Sequence, residues 1–215
     1  ISYYSWGSAI GLGLDLTLRT RFSGVTLDDY MRALWINYGK PERPYTLADL
    51  EHTLAALTQD ADFADSFFRW HVYGSEMMDY EAVLAQGGFL LRKENPGTPW
   101  LGARIDDEEE QVILASGSMI DSPLYRAGLD NGDVILRLGN HAVTSTTQVD
   151  DILASHQPGD TLSIHFEQRG RQRQATLVLA EDPQLEVVTY ETAGLPITEA
   201  IRAFREQWLG SRVQR

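Results

Sequence analysis

Residues 100–103, Trp-Leu-Gly-Ala, and residues 122–135, Ser-Pro-Leu-Tyr-Arg-Ala-Gly-Leu-Asp-Asn-Gly-Asp-Val-Ile, decide the fold of the second half of this chain. Gly102 in the first stretch lets the backbone turn, so that successive N–H groups converge on one anion. No side chain has to supply the charge. The second stretch ends in an apolar run that continues to Leu138 and predicts a buried strand. Together they predict an anion-binding loop beside a β-sheet.

These two stretches, in this order, resemble the signature of a PDZ domain as found in bacterial Deg-type proteases. In that family the segment matching Leu101, Gly102 and Ala103 presents its N–H groups to the terminal carboxylate of a peptide, and the second stretch carries a tight turn into a buried strand. The resemblance extends over residues 99–182. It implies a β-barrel-like domain whose partners are the C-termini of peptides or proteins.

The binding site expected from this resemblance is a groove between a strand and a helix. A ligand strand would add at Ala103 and Ile105, its main chain completing the edge of the sheet. On the helix predicted at residues 146–156, Val149 and Leu153 lie four apart on one face. We expect Leu153 to form the floor of the pocket for the last ligand side chain, whereas Val149 either lines that pocket or belongs to the core. Because Trp100 is larger and Ala103 smaller than the residues usual at these places in the family, we expect a shallow or partly occluded groove.

Residues 1–88 are predicted to be helical, because start and stop signals recur there in the right order. Thr26 with Asp29, and Thr46 with Asp49, have the spacing of a capping box at a helix start. The first predicted helix, at residues 4–19, is apolar nearly all round, so we expect it in the middle of the bundle. Its apolar residues include Ile10, Leu12, Leu14, Leu16 and Leu18.

After Gly88 the composition changes, and a strand and a Pro- and Gly-containing linker mark a domain boundary. Short β runs follow, with Arg169-Gly170 as a hairpin turn. These runs are predicted at residues 101–105, 111–114, 134–138, 161–168 and 174–179. Near the C-terminus, residues 198–209 have an amphipathic pattern and predict a helix that packs back on a domain.

The predicted fold class is therefore α + β with two domains. An N-terminal helical bundle at residues 1–92 is followed by the PDZ-like domain at residues 99–182. A tail at residues 183–215 carries the amphipathic helix.

Several helical segments resemble the glycyl aminopeptidase family of zinc metallopeptidases, which have a thermolysin-like (gluzincin) catalytic domain followed by a PDZ domain. The matching segments are Ser-Tyr-Tyr-Ser-Trp-Gly-Ser-Ala at 2–9, Asp-Leu-Thr-Leu-Arg at 15–19, Ser-Phe-Phe-Arg-Trp-His-Val-Tyr-Gly-Ser-Glu at 66–76, and Tyr80-Glu81. The resemblance implies that the helical bundle is the C-terminal part of such a catalytic domain. The intact enzyme would remove small N-terminal residues such as Gly or Ala.

The resemblance also implies a role for Tyr4. In related aminopeptidases a tyrosine at this place donates its phenol to the oxyanion that forms when zinc-bound water attacks the scissile carbonyl, and such a donor helps because negative charge grows in the transition state. Trp6 stands where that pattern has a lysine, and Tyr3 is a rival donor one residue away. An alternative stays open, in which both tyrosines pack at the top of a buried helix.

A zinc site of this type needs His-Glu-x-x-His on one helix and a downstream Glu. None of the five histidines of this chain occurs in that spacing. We therefore expect no metal site and no catalytic activity in this chain alone. The zinc ligands are expected upstream of Ile1, in an N-terminal remainder that would be its partner. The alternative is a non-catalytic PDZ adaptor that binds peptides and uses the helical domain as a scaffold.

Composition narrows the partners further. The net charge of −13, spread along the chain, argues against nucleic acid binding. No apolar run reaches the roughly 20 residues that span a bilayer, so we expect a soluble chain without a membrane span. Because cysteine is absent, the cytoplasm and the periplasm both remain possible. The acidic run at residues 106–110 predicts a solvated hairpin tip.

Overall fold

The computed structural model describes residues 2–210, which divide into two compact units. The first contains the described residues up to Arg92 and from Val187 onward, and the second contains residues 93–186. Ile1, from which the sequence suggested an upstream segment, lies outside the described residues. The predicted α + β architecture is confirmed: an N-terminal helical region precedes a sheet domain, and a helix follows it.

The helices in chain order are α1 (Tyr3–Arg21), α2 (Leu27–Leu34), α3 (Leu47–Thr58), α4 (Ala61–Phe67), α5 (Tyr80–Gln86), α6 (Pro123–Ala127), α7 (Thr146–Ala154) and α8 (Glu199–Leu209). The strands are β1 (Phe89–Lys93), β2 (Pro99–Trp100), β3 (Ile105–Glu108), β4 (Gln111–Leu114), β5 (Val134–Leu138), β6 (His141–Ala142), β7 (Thr161–Gln168), β8 (Arg171–Val178), β9 (Ala180–Glu181) and β10 (Leu185–Thr189). Single π-helical turns, Trp35–Gly39 and Phe68–Val72, extend α2 and α4.

Both predicted capping boxes start helices. The hydroxyl of Thr26 accepts the N–H of Asp29 and the Asp29 carboxylate accepts the N–H of Thr26, and Thr46 and Asp49 repeat this pair. Hydrogen bonds from Thr46 lower the pKa of Asp49. The first four N–H groups of a helix have no partner inside the helix, so each box supplies acceptors that the backbone lacks.

The first helix differs from its prediction. Its second half is buried, including Leu14, Leu16 and Leu18, but its N-terminal turns are exposed and include Leu12. The expected position in the middle of the bundle is therefore wrong for the first turns of the helix, because α1 adds Leu14 and Leu18 to the buried core of this unit and, before them, only the partly buried Ile10. Buried Asp15 anchors the second half: its Oδ2 accepts from Arg19 Nε at 2.9 Å, and its Oδ1 accepts the N–H of Leu27 at 3.0 Å.

Tyr30 makes the first unit sensitive to high pH. Its side chain is 6% exposed and its hydroxyl donates to the carbonyl of Leu50 at 2.9 Å, and burial raises the pKa of Tyr30 to about 12. A tyrosine in the unfolded chain has a pKa of about 10. The contribution of Tyr30 to stability is therefore complete below pH 10 and is lost as the pH rises through about 12. Between pH 9 and 12 we expect the free energy of unfolding of the wild type to fall about 1–2 kcal/mol further than that of Tyr30→Phe. Urea unfolding of the wild type and of Tyr30→Phe at pH 9 and at pH 12 measures the two decreases. Equal decreases would contradict the raised pKa of Tyr30.

The last helix belongs to the first unit. Its amphipathic pattern predicted that it packs back on a domain, without indicating which one. The rings of Phe89 and Trp208 meet edge to face with their centroids 5.8 Å apart. Arg205 donates its Nε to the carbonyl of Gly87 at 2.9 Å and pairs with Glu191 at 2.7 Å. Strand β1 pairs with β10. No helix among residues 2–210 is long and apolar enough to cross a bilayer.

The second unit is built on an antiparallel sheet with the strand order β3-β4-β5-β7-β8, while β6 pairs with β5 and β2 pairs with β9. The predicted turn between β7 and β8 is confirmed, since Arg169 and Gly170 both have positive φ, 51° and 74°. The acidic run is a hairpin, but only Glu109 and Glu110 form its tip, and the preceding acids belong to β3. The core is apolar and includes Val112, Leu124, Ile135, Ile164, Phe166 and Leu177.

Candidate functional site

The predicted anion-binding loop, residues 101–103, lies between β2 and β3. The sequence predicted a strand over 101–105, but the strand begins only at Ile105. Two long-range hydrogen bonds hold the loop away from strand geometry. The N–H of Leu124 donates to the carbonyl of Leu101 at 3.0 Å, and the N–H of Met119 donates to the carbonyl of Gly102 at 2.7 Å. The loop is therefore fixed by α6 and the segment before it, and the carbonyls of Leu101 and Gly102 are already paired.

Gly102 is required by the shape of this loop. It has φ +97°, a region that side chains with a Cβ rarely adopt, and a Cβ built on it would lie 2.0 Å from the Cβ of Ser122. Ser122 is buried and begins α6, where its hydroxyl accepts the N–H of Tyr125 at 3.3 Å. The side of Gly102 that faces α6 therefore has no space for a side chain.

The two consecutive N–H groups of Gly102 and Ala103 are the donors that this loop could offer to a ligand. Among the hydrogen bonds of residues 2–210, none has the N–H of either residue as its donor. Gly102 is nevertheless buried. Buried N–H groups in folded proteins are almost always paired with protein, water or ligand. Adjacent N–H donors without a protein acceptor on a turn with positive φ can form a concave site for an anion.

Strand β3 provides a free sheet edge next to this loop. Within the described residues its only strand partner is β4, with Asp106 opposite Ile113 and Glu108 opposite Gln111. The carbonyl of Arg104 accepts the N–H of Ala115. Because alternate residues of an antiparallel strand bond to the same neighbour, 104, 106 and 108 bond to β4, and the backbone groups of 103, 105 and 107 face the open edge. An added strand would bond to these three residues.

The second wall of the groove is α7. Val149 is 0% exposed and belongs to the core, which is the alternative that the sequence left open for it. Leu153 is half-buried and packs on the same core, as do Ala103 and Ile105. Leu101 is 5% exposed, so its side chain is also a core residue and only its backbone belongs to the loop. The side chains of Ala103, Ile105 and Leu153 are thus partly exposed over the core. Those of Val149 and Leu101 are buried in the core and are not available to line the groove.

The far end of the groove is crossed by a contact that the sequence did not indicate. Asp107 of β3 accepts two hydrogen bonds from Thr146, the first residue of α7: Oδ1 accepts the backbone N–H at 2.5 Å and Oδ2 accepts the hydroxyl at 3.3 Å. The neighbouring acid, Asp106, points to the opposite face of the strand and pairs with Arg104. This hydrogen bond raises the pKa of Arg104.

A cavity of about 390 Å³ adjoins the loop. Its lining includes Trp100, Gly102, Ala103, Ser116 and Met119. The sequence did not indicate that residues 116–119 help to line this cavity. This stretch has no periodic pattern, and only the folded chain brings it close to the loop. The only sequence signal was the pair of glycines at 102 and 117.

Tyr3 and Tyr4 occupy the first turn of α1 in the other unit. They are 75% and 71% exposed, so the alternative in which both pack at the top of a buried helix is wrong. Their ring centroids are 4.2 Å apart, and a side-chain hydrogen bond with Tyr4 raises the pKa of Tyr3. Both phenols therefore remain accessible on this part of the helix.

The described residues do not form a metal site. Among residues 2–210, no three His, Cys, Asp or Glu side chains lie close enough together to hold a metal ion. His71, in the segment that resembles the catalytic domain, instead places its Nδ1 2.8 Å from the carbonyl of Glu76. These residues do not fit a zinc site of the His-Glu-x-x-His type.

Comparison with known proteins identifies the second unit. Residues 99–179 match the PDZ domain family, so the chain contains a PDZ domain. Over 59 residues it is 37% identical to two proteins called Serine protease Do-like HtrA, from Lactococcus lactis subsp. cremoris (strain MG1363) and Lactococcus lactis subsp. lactis (strain IL1403). The match covers 27% of this chain and 14% of each relative, so the chain spans only a small part of their length.

Both units together are similar to a larger solved structure. The crystal structure of an aminopeptidase N family protein from Idiomarina loihiensis superposes with a TM-score of 0.74 over 91% of this chain. The match covers 35% of that protein, and the sequence identity is 24%. At this identity the likeness shows a shared fold.

Proposed function

We propose that the PDZ domain of this chain binds the C-terminal segment of a peptide or protein. The terminal carboxylate would accept hydrogen bonds from the N–H groups of Gly102 and Ala103. The observation that carries this proposal is that these adjacent donors have no acceptor among the described residues, although Gly102 is buried. Hydrogen bonds to a charged acceptor are stronger than those between neutral groups, so a carboxylate suits the loop better than an amide does.

The rest of the ligand would add to the sheet as a strand antiparallel to β3. Its backbone would bond to Ile105, whose N–H and C=O face the open edge. Its last side chain would lie over Leu153 and Ala103, which are partly exposed on the apolar core. An apolar final residue is therefore expected, since it would cover apolar surface at the end of the groove.

The proposal predicts a strong preference for a free C-terminus. We expect the peptide acetyl-Ala-Ser-Val to bind the 215-residue chain at least tenfold more tightly than its C-terminal amide, because the amide removes the charge from the acceptor that faces two backbone donors. NMR titration measures both affinities and shows whether the amides of Gly102 and Ala103 shift. Equal affinity for acid and amide would contradict the carboxylate site.

We further propose that the chain is the C-terminal part of a zinc-dependent aminopeptidase that removes small N-terminal residues such as Gly or Ala. Three observations support this: the matching segments in the helical half, the shared fold with an aminopeptidase N family protein over 91% of the chain, and the exposed phenol of Tyr4. In this proposal Tyr4 donates its hydroxyl to the carbonyl oxygen of the substrate as negative charge develops there.

In the same proposal the zinc of the intact enzyme is held by residues of its N-terminal remainder, which would also be the partner of this chain. In this proposal the chain alone hydrolyses nothing, because its five histidines do not occur in the His-Glu-x-x-His spacing. The alternative is a non-catalytic adaptor in which the helical unit is a scaffold for the PDZ domain. The two differ in one measurable property, because the enzyme would turn over alanine p-nitroanilide as a full-length protein and the adaptor would not.

A further inference from the structure

We infer that Asp107 limits the PDZ groove to about the last three residues of a peptide by tying β3 to α7. This inference rests on the proposed binding of peptide C-termini and specifies the length of ligand that the site accepts. It starts from the two hydrogen bonds between the Asp107 carboxylate and Thr146, which join the two walls of the groove at the end away from the carboxylate loop. We call this pair of bonds the Asp107–Thr146 clasp.

The clasp leaves too little space for a ligand strand. The carboxylate oxygen of an aspartate is three bonds of about 1.2–1.5 Å from its Cα, so the reach of the side chain is below about 4 Å. With an Oδ1–N distance of 2.5 Å, the backbone of Thr146 lies within about 6 Å of the Cα of Asp107. A strand that paired with β3 would itself lie about 4.8 Å from it, and α7 would then have to be displaced to make room.

The loop end of the groove has no such closure. Among the described residues, no hydrogen bond joins Ala103 or Ile105 to α7, and both side chains are partly exposed. The two ends of the groove therefore differ. One end has two adjacent N–H donors that lack an acceptor among the described residues, and the other is closed by the contact between Asp107 and Thr146.

The register of β3 determines how many ligand residues can bind before the clasp is reached. The outward-facing residues are 103, 105 and 107, and an antiparallel ligand pairs residue for residue with them. With its carboxylate at Gly102 and Ala103, a ligand has its third residue from the end opposite Ile105 and its fifth from the end opposite Asp107. The last three residues thus bind without disturbing the clasp, and longer contacts require it to open.

Two variants open the clasp from opposite walls. Asp107→Ala removes the acceptors. Thr146→Pro removes both donors without changing the charge, and proline is favoured at the first position of a helix. The preceding residue, Ser145, is extended with φ −147° and ψ 153°, as a residue before proline should be. The matched control is Asp106→Ala. It also removes one negative charge, but from the neighbouring residue, whose side chain lies on the opposite face of β3.

The test compares acetyl-Ala-Ser-Val with acetyl-Ala-Ser-Ala-Ala-Ser-Val, which share their last three residues. In the wild type and in Asp106→Ala we expect both peptides to bind with affinities within about twofold of each other. In Asp107→Ala and Thr146→Pro we expect the hexapeptide to bind about tenfold more tightly than the tripeptide. Without the clasp the open groove is the main form of the domain, so the additional residues of the hexapeptide can pair with β3 at no cost for opening it. Thermal unfolding of each variant verifies that it is folded.

Two results would overturn the inference. One is a wild type that already binds the hexapeptide tenfold more tightly, and the other is a pair of clasp variants that still do not distinguish the peptides. Loss of discrimination between acid and amide ends would instead refute the proposed function. If no peptide binds, hydrogen exchange at the Thr146 amide decides: we expect at least tenfold faster exchange in Asp107→Ala than in Asp106→Ala, and equal exchange would exclude the clasp.

Discussion

The Tyr4→Phe variant of the full-length protein is expected to lose about 100- to 1,000-fold in kcat for alanine p-nitroanilide. The change removes only the hydroxyl, and the phenol of Tyr4 is exposed on the first turn of α1, where removing it leaves no cavity in the core. Because the proposed hydrogen bond strengthens only as charge develops on the substrate oxygen, KM should change by less than about threefold. Steady-state kinetics measures both constants.

Tyr3→Phe separates the two neighbouring phenols. Successive residues of a helix point about 100° apart, so only one of the two hydroxyls is expected to reach a given substrate atom. We expect the larger loss in Tyr4→Phe, and the reverse order would assign the role to Tyr3. A loss below tenfold in both variants would contradict a transition-state role for either tyrosine. Absence of any turnover by the wild-type full-length protein would favour the adaptor.

The second large effect is expected from Gly102→Ala. We predict that it lowers the affinity for acetyl-Ala-Ser-Val about 100-fold and the free energy of unfolding by about 2–4 kcal/mol. A Cβ on Gly102 would lie 2.0 Å from the Cβ of Ser122, and the residue has φ +97°. The loop would have to move, and this would displace the two N–H groups of the proposed carboxylate site. Urea unfolding and NMR titration measure the two effects.

Gly97→Ala is the matched control for this substitution. Gly97 also has a positive φ, 75°, but nothing lies within 4 Å of the Cβ that alanine would add. We therefore expect a loss of only about 1–2 kcal/mol and unchanged peptide affinity. Adding Ser122→Gly to Gly102→Ala removes the clashing atoms at small cost to the helix start, so part of the lost stability should return. Equal effects of Gly102→Ala and Gly97→Ala would show that the contact with Ser122 is unimportant.

Much of the fold followed from local chemistry that can be seen in the sequence. Thr26 with Asp29 and Thr46 with Asp49 start helices because the bonds of a capping box span only three residues. The Arg169-Gly170 turn, the strands from Val134 and Thr161 and the helix from Thr146 also involve local signals. Short elements were not predicted, among them α6, although Ser122 followed by Pro123 is a helix-start signal.

The candidate site could be predicted only in part. The glycine at position 102 indicated a loop with converging amides, but the predicted strand over 101–105 was wrong for its first residues. The carbonyls of Leu101 and Gly102 bond to Leu124 and Met119, which are about 20 residues away in the chain. A periodic pattern shows which residues are apolar, but it gives no information on hydrogen bonds between residues so far apart in the chain. For the same reason the core position of Val149 and the exposure of the first turns of α1 became visible only in the structure.

By itself the sequence determined which segments are helical, which are extended and where the tight turns lie, because each of these depends on neighbours within a few residues. Only the tertiary structure decided which amides lack an acceptor, that β3 is an edge strand, and that Asp107 reaches Thr146. The Asp107–Thr146 clasp joins residues 39 positions apart. Such contacts depend on how strands and helices pack over a shared core, and that packing is a property of the whole folded domain.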